Sequence, residues 1–364
     1  MEYRILPRGG EKISIIGMGS SVIGERPEAE IIKTVRAAYD SGVNFFDMAG
    51  GHAAIFAAYG KALESVRENV YLQVHFGADY SSGEYGWTTK LDEIKRAVTW
   101  QLEKLRTDYI DFGFIHCIDE EHDLDVYEKN GVLDYIKALK AEGTIRHIGL
   151  SSHTPSIVER VLDMGIIDIV MFSINPLYDY GRGDFGIGGS EERQRLYRRC
   201  ESEGVGISVM KPFCGGQLLD GKKSPFGAAL TKFQCLQYAL DKPGAVTVLP
   251  GYADENELRG VLAFLDAPEE ERDYSCLGGF APKDSLGKCV YCRHCHPCPA
   301  GLDVALINKY YDLAKLGDKL AAEHYMTLVK TARDCTGCGH CDGRCPFGVD
   351  QSGRMKQIRE YFGK

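Results

Sequence analysis

Three polar side chains stand at the ends of short buried strands, where they could do acid–base chemistry. Asp47 lies near the end of the apolar run Asn44–Ala49, and His75 and His116 each end an apolar strand further along the chain. A carboxylate or imidazole is costly to bury unless it has a partner or a role. We therefore expect Asp47, His75 and His116 to share one polar site.

Eight cysteines near the end of the chain have the spacing of metal ligands. They form the runs Cys289-x2-Cys292-x2-Cys295-x2-Cys298-Pro299 and Cys335-x2-Cys338-x2-Cys341-x3-Cys345-Pro346. The second spacing is that of bacterial ferredoxins, in which the first three thiolates hold one cubane and the fourth holds the other. By that logic one [4Fe–4S] cluster takes Cys289, Cys292, Cys295 and Cys345, and the other takes Cys335, Cys338, Cys341 and Cys298.

This cysteine-rich segment resembles a two-cluster ferredoxin with a helical insert between its halves. The alternative is a pair of zinc sites, because four-cysteine zinc sites also use C-x2-C pairs. Zinc modules rarely place four cysteines within ten residues or follow the fourth with proline, so the pattern favours [4Fe–4S]. Clusters of this kind imply one-electron transfer, with a purely structural role as the second hypothesis.

The elements that must position the polar residues repeat as a short apolar strand followed by an amphipathic helix, about eight times. This alternation predicts a (β/α)8 TIM barrel, whose strand ends form one floor. The predicted strands are Ile13–Met18, Asn44–Ala49, Val70–Phe76, Tyr109–His116, Ile145–Leu150, Ile167–Ile174, Gly206–Met210 and Ala245–Leu249. We expect a barrel over residues 1–266, a linker over 267–288 and a small ferredoxin-like iron–sulfur domain over 289–364.

Composition and charge exclude several classes of protein. The formal net charge is −9, whereas a nucleic-acid binder usually shows a basic face. No apolar run approaches the length of a membrane span, and the first residues lack the apolar core of a signal peptide. Clustered cysteines in an acidic chain of this kind point to metal in a reducing compartment. We expect a cytoplasmic protein of anaerobic metabolism.

The barrel half resembles the aldo-keto reductases, and with its cysteine-rich end the whole chain resembles the bacterial members that carry a ferredoxin-like tail. The matching segments are Gly42–Ala49, Thr107–Asp111 leading to His116, Ile148–His153, Val209–Pro212 before Gly215-Gly216, and Val248–Gly251. The resemblance implies hydride transfer between a nicotinamide and a carbonyl. In that family a tyrosine gives the proton, a lysine paired with an aspartate lowers the pKa of the tyrosine, and a histidine orients the carbonyl.

Carried onto this chain, the resemblance makes Asp47 the aspartate and His116 the histidine. The position of the tyrosine holds His52, and the position of the lysine holds His75. Imidazoles can also exchange protons near neutral pH, so acid–base chemistry stays open to Asp47, His52, His75 and His116. The alternative for His52 is a hydrogen-bonded loop residue.

The resemblance also implies a site for NAD(H) or NADP(H). Its residues would be Ser151 and Asn175 for the carboxamide, together with Met210, Lys211, Pro212 and Gly251. Where relatives place a cationic partner for the 2′-phosphate, this chain has Ala253 and Asp254. Acids near a 2′-phosphate repel it, so we expect NADH to be favoured over NADPH.

Three further features leave alternatives open. Asp47, His75 and His116 are also a reasonable ligand set for a divalent metal. Tyr80, Tyr85 and Trp87 could wall a substrate pocket or pack their loop down. The run Asp119–Asp123 is expected to be a solvated charge run.

We therefore expect an iron–sulfur oxidoreductase acting on a small polar carbonyl or hydroxyl compound. Its electrons would pass through two [4Fe–4S] clusters to a protein partner. The alternatives are a metal-dependent lyase or isomerase on the same barrel with structural clusters, and a non-catalytic electron-transfer protein. The sequence specifies neither the substrate nor the oligomeric state.

Overall fold

A computed structural model describes residues 1–180, 186–279, 286–289, 291, 293–315 and 319–364. Within these, the chain forms two compact units. The first unit comprises residues 1–174, 205–212 and 246–267, and the second comprises 175–204, 213–245 and 268–364. The predicted metal ligand Cys292 and residues 280–285 of the predicted linker lie outside the described residues. The predicted domain boundaries stay a prediction.

The described strands lie in the first unit, except for the first residue of the last strand. They are β1 (Tyr3–Ile5), β2 (Lys12–Ser14), β3 (Met18–Gly19), β4 (Phe45–Asp47), β5 (Tyr71–Phe76), β6 (Ala78–Asp79), β7 (Gly86–Trp87), β8 (Ile110–Ile115), β9 (Ile145–Ser152), β10 (Ile169–Ser173), β11 (Gly206–Met210) and β12 (Ala245–Val248).

Eight strands form one parallel sheet that closes on itself. Its order is β12-β11-β10-β9-β8-β5-β4-β3. The two ends meet through parallel bridges between Ile16 and Val248 and between Gly19 and Gly251. This is the predicted (β/α)8 barrel. Because the strands are parallel, the side chains at their carboxyl ends share one face.

The barrel core is apolar, and side chains from the end of the barrel opposite the carboxyl ends of its strands help to fill it. Leu6 directly follows β1, Ile13 lies in β2, and both pack with apolar side chains on or next to the parallel strands. Those side chains are Phe45, Phe112, Phe114, Ile169, Met171, Met210, Val246 and Leu249. Polar side chains lie at the carboxyl ends of β4, β5 and β8.

The helices of the first unit are α1 (Glu28–Asp40), α2 (Ala54–Leu63), α3 (Leu91–Leu105), α4 (Glu121–Lys129), α5 (Val132–Ala141), α6 (Pro155–Asp163) and α10 (Glu255–Leu262). Glu28 and Glu30 lie in the first turn of α1, where the helix dipole favours acids. Gly42 follows the helix with φ of +93°, a conformation that glycine adopts without strain.

Apart from Ala245 of β12, the regular secondary structure described in the second unit is helical. It holds α7 (Pro176–Asp179), α8 (Ser190–Ser202), α9 (Lys232–Leu240), α11 (Glu269–Arg272), α12 (Val304–Lys315), α13 (Lys319–Thr327), α14 (His340–Arg344) and α15 (Gln351–Phe362). A fully buried ion pair braces it, because Arg193 Nε donates to Asp179 Oδ1 over 2.8 Å. Tyr238 also donates to the other carboxylate oxygen of Asp179, over 2.8 Å.

Several predicted elements differ from the structure. The predicted strand Ile13–Met18 is divided between β2 and β3, because Lys12–Ser14 pairs back onto β1. The aromatic loop after β5 contains the short hairpin β6–β7. The run Asp119–Asp123 is not a simple solvated segment, since α4 begins at Glu121. Among the described residues, no helix is long and apolar enough to cross a membrane.

Candidate active site

Four side chains form an unbroken hydrogen-bonded chain at the carboxyl ends of three barrel strands. Asp47 ends β4, His75 lies near the end of β5 and His116 follows β8. Asp47 Oδ1 lies 2.8 Å from His75 Nε2, and His75 Nδ1 lies 3.0 Å from His116 Nδ1. Tyr85, in the β6–β7 hairpin, places its hydroxyl 2.9 Å from His116 Nε2. The structure therefore brings the three predicted residues together and adds a tyrosine.

With Asp47 as a carboxylate acceptor, one assignment of protons satisfies the three contacts that link these four side chains. His75 Nε2–H donates to Asp47, His116 Nδ1–H donates to His75 Nδ1, and the Tyr85 hydroxyl donates to His116 Nε2. Burial, and to a smaller extent the neighbouring His75, hold the pKa of His116 well below 6.5. Burial raises the pKa of Tyr85 to about 12. The chain can thus carry a proton from a phenol to a buried carboxylate.

A glutamine fixes the buried end of this chain. Gln73 Nε2 donates to Asp47 Oδ1 over 2.7 Å, and Gln73 Oε1 accepts from Ser208 Oγ over 2.9 Å. Gln73 and Ser208 are fully buried. A buried amide with both ends satisfied holds its neighbours rigidly, so Gln73 positions the carboxylate.

His52 lies outside the hydrogen-bonded series of Asp47, His75, His116 and Tyr85. Its side chain is exposed and lies against the backbone at Gly24, where a Cβ would come within 2.7 Å of His52 Cδ2. Within the described residues, no hydrogen bond involves its ring. A backbone bridge to Glu84 places the His52 loop beside the Tyr85 hairpin. A catalytic role for His52 stays a prediction, and this geometry does not support it.

A second polar cluster lies at the carboxyl ends of β8, β9 and β11. His153 Nδ1 is 2.9 Å from Asp119 Oδ2, and Lys211 Nζ is 2.8 Å from His153 Nε2. Burial opposes the charge of Asp119, but the hydrogen bonds from His153 and Ser152 hold the pKa of its carboxyl below the usual value. Asp119 is therefore not the solvated charge that the sequence indicated.

The residues predicted for a nicotinamide fall in both units. Ser151, Met210, Lys211, Pro212 and Gly251 belong to the first unit. Gly251 is closely approached, since a Cβ there would lie 2.6 Å from Val22 Cγ2. Asn175 belongs to the second unit, where its side-chain oxygen accepts from Tyr178 N and caps α7.

At the start of α10, carboxylates already accept hydrogen bonds from the backbone N–H groups. This is the place at which a 2′-phosphate is predicted to lie. Asp254 Oδ1 accepts from the backbone N–H groups of Asn256 and Glu257, and Glu257 Oε2 accepts from Ala253 N. Arg26 lies 3.5 Å from Asp254. The orphan N–H groups of a helix start normally attract anions. Because acids occupy them here, an additional phosphate is disfavoured.

The cysteine runs in the second unit fit two clusters. The described cysteines are free thiols, and Cys289, Cys295 and Cys345 line one cavity. Cys298 packs with Cys335 and Cys341 in a hydrophobic cluster that also includes Cys295. Val349 N donates to Cys345 Sγ and Gly337 N donates to Cys335 Sγ, each over 3.4 Å. Such N–H···S contacts are typical of cluster thiolates.

Comparison with known proteins decides the family. The pattern of the Aldo/keto reductase family matches residues 15–232, more than half of the chain. The chain belongs to this family. A 4Fe-4S dicluster domain matches residues 285–349 of the same aldo/keto reductase, which supports iron–sulfur clusters over zinc.

Two curated proteins resemble this aldo/keto reductase. L-galactose dehydrogenase of Arabidopsis thaliana is 28% identical over 235 residues, which cover 60% of this chain and 68% of that protein. The uncharacterized oxidoreductase YqkF of Bacillus subtilis is 29% identical over 179 residues. That match covers 47% of this chain and 56% of YqkF, so the chain spans little more than half of that relative's length.

A solved structure supports the fold. The holo form of an aldo-keto reductase from Bacillus halodurans superposes with a TM-score of 0.61 at 22% identity, covering 75% of this chain and 94% of the other. At that identity the likeness concerns the fold alone. The predicted oxidoreductase family is confirmed, whereas the roles of individual residues stay predictions.

Sequence reasoning missed several residues of this site. Gln73 could have been found, because it lies two residues before His75 on one strand and therefore faces the same side. Tyr85 carried a weaker signal, as one of three aromatic residues in a loop. Nothing in the sequence linked Asp119 to His153, because their contact depends on how the loops after the neighbouring strands β8 and β9 fold.

Proposed function

We propose that this aldo/keto reductase is an NAD(H)-dependent oxidoreductase that interconverts a hydroxyl group and a carbonyl group on a small polar substrate. The observation that carries this proposal is the hydrogen-bonded chain Tyr85–His116–His75–Asp47. We take His52 and His75 to occupy the positions at which relatives carry tyrosine and lysine. Tyr85, from another loop, then provides the phenol.

The direction of the hydrogen bonds from Tyr85 to Asp47 favours oxidation of a hydroxyl group. The Tyr85 oxygen would take the proton of the substrate hydroxyl while its own proton passes to His116 Nε2. The Nδ1 proton of His116 passes to His75, and the Nε2 proton of His75 passes to Asp47. One proton leaves the substrate and one arrives at the carboxylate, so each intermediate group stays neutral. Carbonyl reduction reverses the same steps.

The residues available for a nicotinamide fit NADH better than NADPH. Ser151, Met210, Lys211, Pro212 and Gly251 would hold the cofactor. When bound, a nicotinamide exchanges hydride with a carbon atom. The carboxylates of Asp254 and Glu257 at the start of α10 would repel a 2′-phosphate.

The likeness to one curated relative suggests a substrate with several hydroxyl groups. Tyr59, Tyr80 and Tyr252 are buried, and their hydroxyls have no hydrogen-bond partner among the described residues. Asp47 acts electrostatically on both Tyr59 and Tyr80, so these two lie near the chain. Buried polar groups are normally satisfied, by water or ligand if not by protein. The likeness to an L-galactose dehydrogenase makes aldoses the first substrates to test.

The clusters would carry the electrons onward. We propose that Cys289, Cys292, Cys295 and Cys345 hold one [4Fe–4S] cluster and that Cys335, Cys338, Cys341 and Cys298 hold the other. Cubanes of this type exchange one electron at a time. They would connect the barrel chemistry to a one-electron protein partner, in the reducing conditions of the cytoplasm.

The geometry does not favour a metal-dependent lyase at Asp47, His75 and His116. Asp47 meets His75 at Nε2, whereas His116 meets it at Nδ1, on the opposite side of the ring. An imidazole presents only one nitrogen to a given metal ion, so these three groups cannot all bind one ion as they stand.

Replacing Tyr85 with phenylalanine tests the proposed function. We expect Tyr85→Phe to lower kcat for L-galactose oxidation with NAD⁺ by about 10²-fold or more, because the proton acceptor is lost. The assay should also include dl-glyceraldehyde reduction with NADH and with NADPH. Anaerobic titration with each nicotinamide measures binding separately from turnover, and NADH is expected to bind more tightly.

Tyr135→Phe is the matched control, since Tyr135 is a partly buried tyrosine on α5. It should retain wild-type kcat, and both variants should keep the wild-type thermal midpoint and iron content. Wild-type turnover in Tyr85→Phe would refute the proton chain. If neither nicotinamide binds, the cofactor assignment is refuted. The proton transfer from Tyr85 to Asp47 would then be tested with an artificial electron acceptor.

A further inference from the structure

A group of metal-binding side chains lies outside the proton chain, at the carboxyl ends of β8 and β9. Cys117 and Asp119 follow β8, and His153 follows β9. One ligand atom from each residue lies within 4.8 Å of the others. Asp119 Oδ2 is 2.9 Å from His153 Nδ1 and 3.8 Å from Cys117 Sγ. No other group of this kind occurs among the described residues.

We propose that Cys117, Asp119 and His153 form a binding site for one Zn²⁺ ion. Thiolate sulfur, imidazole nitrogen and carboxylate oxygen are the three donors that zinc takes in proteins. Three protein ligands with an open fourth position are typical of catalytic zinc sites, whereas structural sites have four protein ligands. The carboxyl ends of barrel strands are also where such barrels hold their reacting groups.

The surroundings hold the ligands in place. Asp119 Oδ1 accepts from His153 N over 2.5 Å and from Ser152 Oγ over 3.1 Å, which leaves Oδ2 directed at the other two ligands. Hydrogen bonds of this kind orient metal-binding carboxylates. Cys117 has φ of +50°, which is rare for a residue with a side chain. Such strain persists where surrounding contacts impose it, commonly at functional sites.

Lys211 competes with the metal for His153. Its ammonium donates to His153 Nε2 over 2.8 Å, so the ring proton is on Nδ1 and faces Asp119. When Nδ1 binds zinc, the ring proton moves to Nε2, and the Lys211 ammonium must turn away. The Cys117 thiol loses its proton to solvent. One zinc ion therefore enters, one proton leaves and no group is oxidised or reduced.

The open fourth position gives this site a chemical use. It would hold water or an oxygen atom of the substrate, and zinc there would act as a Lewis acid. Cys117 directly follows His116 in the sequence, so the ion would bind beside the hydrogen-bonded series that includes His116. The proposal does not depend on nicotinamide binding.

The test is a metal count on the full-length protein purified anaerobically with its clusters intact. After equilibration with Zn²⁺ and removal of the excess, we expect about one zinc per chain beside about eight irons. Zinc K-edge X-ray absorption should show one sulfur at about 2.3 Å and nitrogen or oxygen atoms at about 2.0 Å. The zinc edge reports the zinc environment alone, so the iron clusters leave the signal clear.

Four variants separate this site from others. Cys117→Ser and His153→Gln should each lose the zinc and keep the irons, and Cys276→Ser, at an exposed cysteine outside the two runs, should keep both metals. Lys211→Met should bind zinc about tenfold more tightly, because no ammonium has to be displaced. Competition with a chromophoric chelator measures that affinity.

Two outcomes would overturn the proposal. One is a protein with intact clusters that retains no zinc in either the wild type or Lys211→Met. The other is a zinc signal with four sulfur ligands, which would place the ion in the cysteine runs.

Discussion

At the scale of single residues, the structure places four side chains in one hydrogen-bonded series. Tyr85, His116, His75 and Asp47 succeed one another at 2.9, 3.0 and 2.8 Å. Relatives are expected to lower the pKa of their tyrosine with a lysine, whereas burial here raises the pKa of Tyr85 to about 12. We therefore expect the phenol to pass on a proton as it receives one.

The pH dependence of turnover follows from these pKa shifts. His116 accepts a proton only when it is neutral, and burial keeps its pKa well below 6.5. Tyr85 donates only while it is protonated, which its raised pKa ensures into the alkaline range. We expect kcat for hydroxyl oxidation to stay level as the pH falls from about 9 to about 6.5, and to decline only below that.

Steady-state rates at saturating substrate, measured from about pH 5 to about pH 10, check this expectation. An ordinary histidine would already be half protonated near a pH of about 6.5. An acid limb centred at or above that pH would contradict the assignment of His116 as the neutral acceptor.

At the scale of elements, one strand and one hairpin bring the hydrogen-bonded side chains together. β5 carries both Gln73 and His75, and the β6–β7 hairpin carries Tyr85 back to His116. Gly77 joins the two with φ of +105°, and Tyr127 beneath it donates to Phe76 O over 3.1 Å. The strand end and the hairpin are therefore fixed by one glycine and one buried tyrosine.

Replacing Gly77 with alanine should disrupt this junction. The new Cβ would lie 2.1 Å from the Tyr127 hydroxyl oxygen in addition to occupying an unfavourable φ. We expect Gly77→Ala to lower the free energy of unfolding by about 3 kcal/mol or more and to lower kcat as well. Anaerobic thermal unfolding and steady-state kinetics measure the two effects.

Gly83 in the same hairpin provides the control. It has φ of +96°, but a Cβ added there would meet no atom within 4 Å, so Gly83→Ala adds conformational strain without a clash. We expect a loss of about 1–2 kcal/mol there. Equal effects of the two substitutions would show that the Tyr127 contact contributes nothing.

At the scale of the whole molecule, the hydrogen-bonded side chains belong to one unit and the two cysteine runs belong to the other. The two cysteine runs are predicted to exchange their fourth ligands, so neither run builds a cluster alone. The placement of Cys345 with Cys289 and Cys295 around one cavity supports this pattern. Hydride transfer in the barrel would move two electrons at once. A unit with two clusters in the same polypeptide would let these electrons pass to a partner one at a time.

Single cysteine substitutions test the exchange of ligands. We expect Cys345→Ser to damage the same cluster as Cys289→Ser, and Cys298→Ser to damage the same cluster as Cys335→Ser, because each pair shares one cubane. Iron should fall from about eight toward about four per chain. Electron paramagnetic resonance of the reduced variants identifies the surviving cluster. If Cys345→Ser instead matched Cys335→Ser, each run would hold its own cluster.

Much of the fold was predictable, because it depends on local periodicity. The bounds of β11 are those predicted, and the predicted alternation of strands with helices is also found, since each of these elements buries one side of the chain. The first strand was less predictable, because Lys12–Ser14 has its partner in β1. The helix α4 was missed, since its acidic start looked like a solvated loop.

The sequence by itself determined the barrel, the cysteine runs and the three polar strand ends, because each follows from residue spacing within a segment. Only the tertiary structure decided that Tyr85 completes the proton chain, that His52 stands apart from it, and that Asp119 meets His153. These contacts join side chains from separate loops. Their geometry depends on which strands become neighbours when the sheet closes, and no local pattern encodes that.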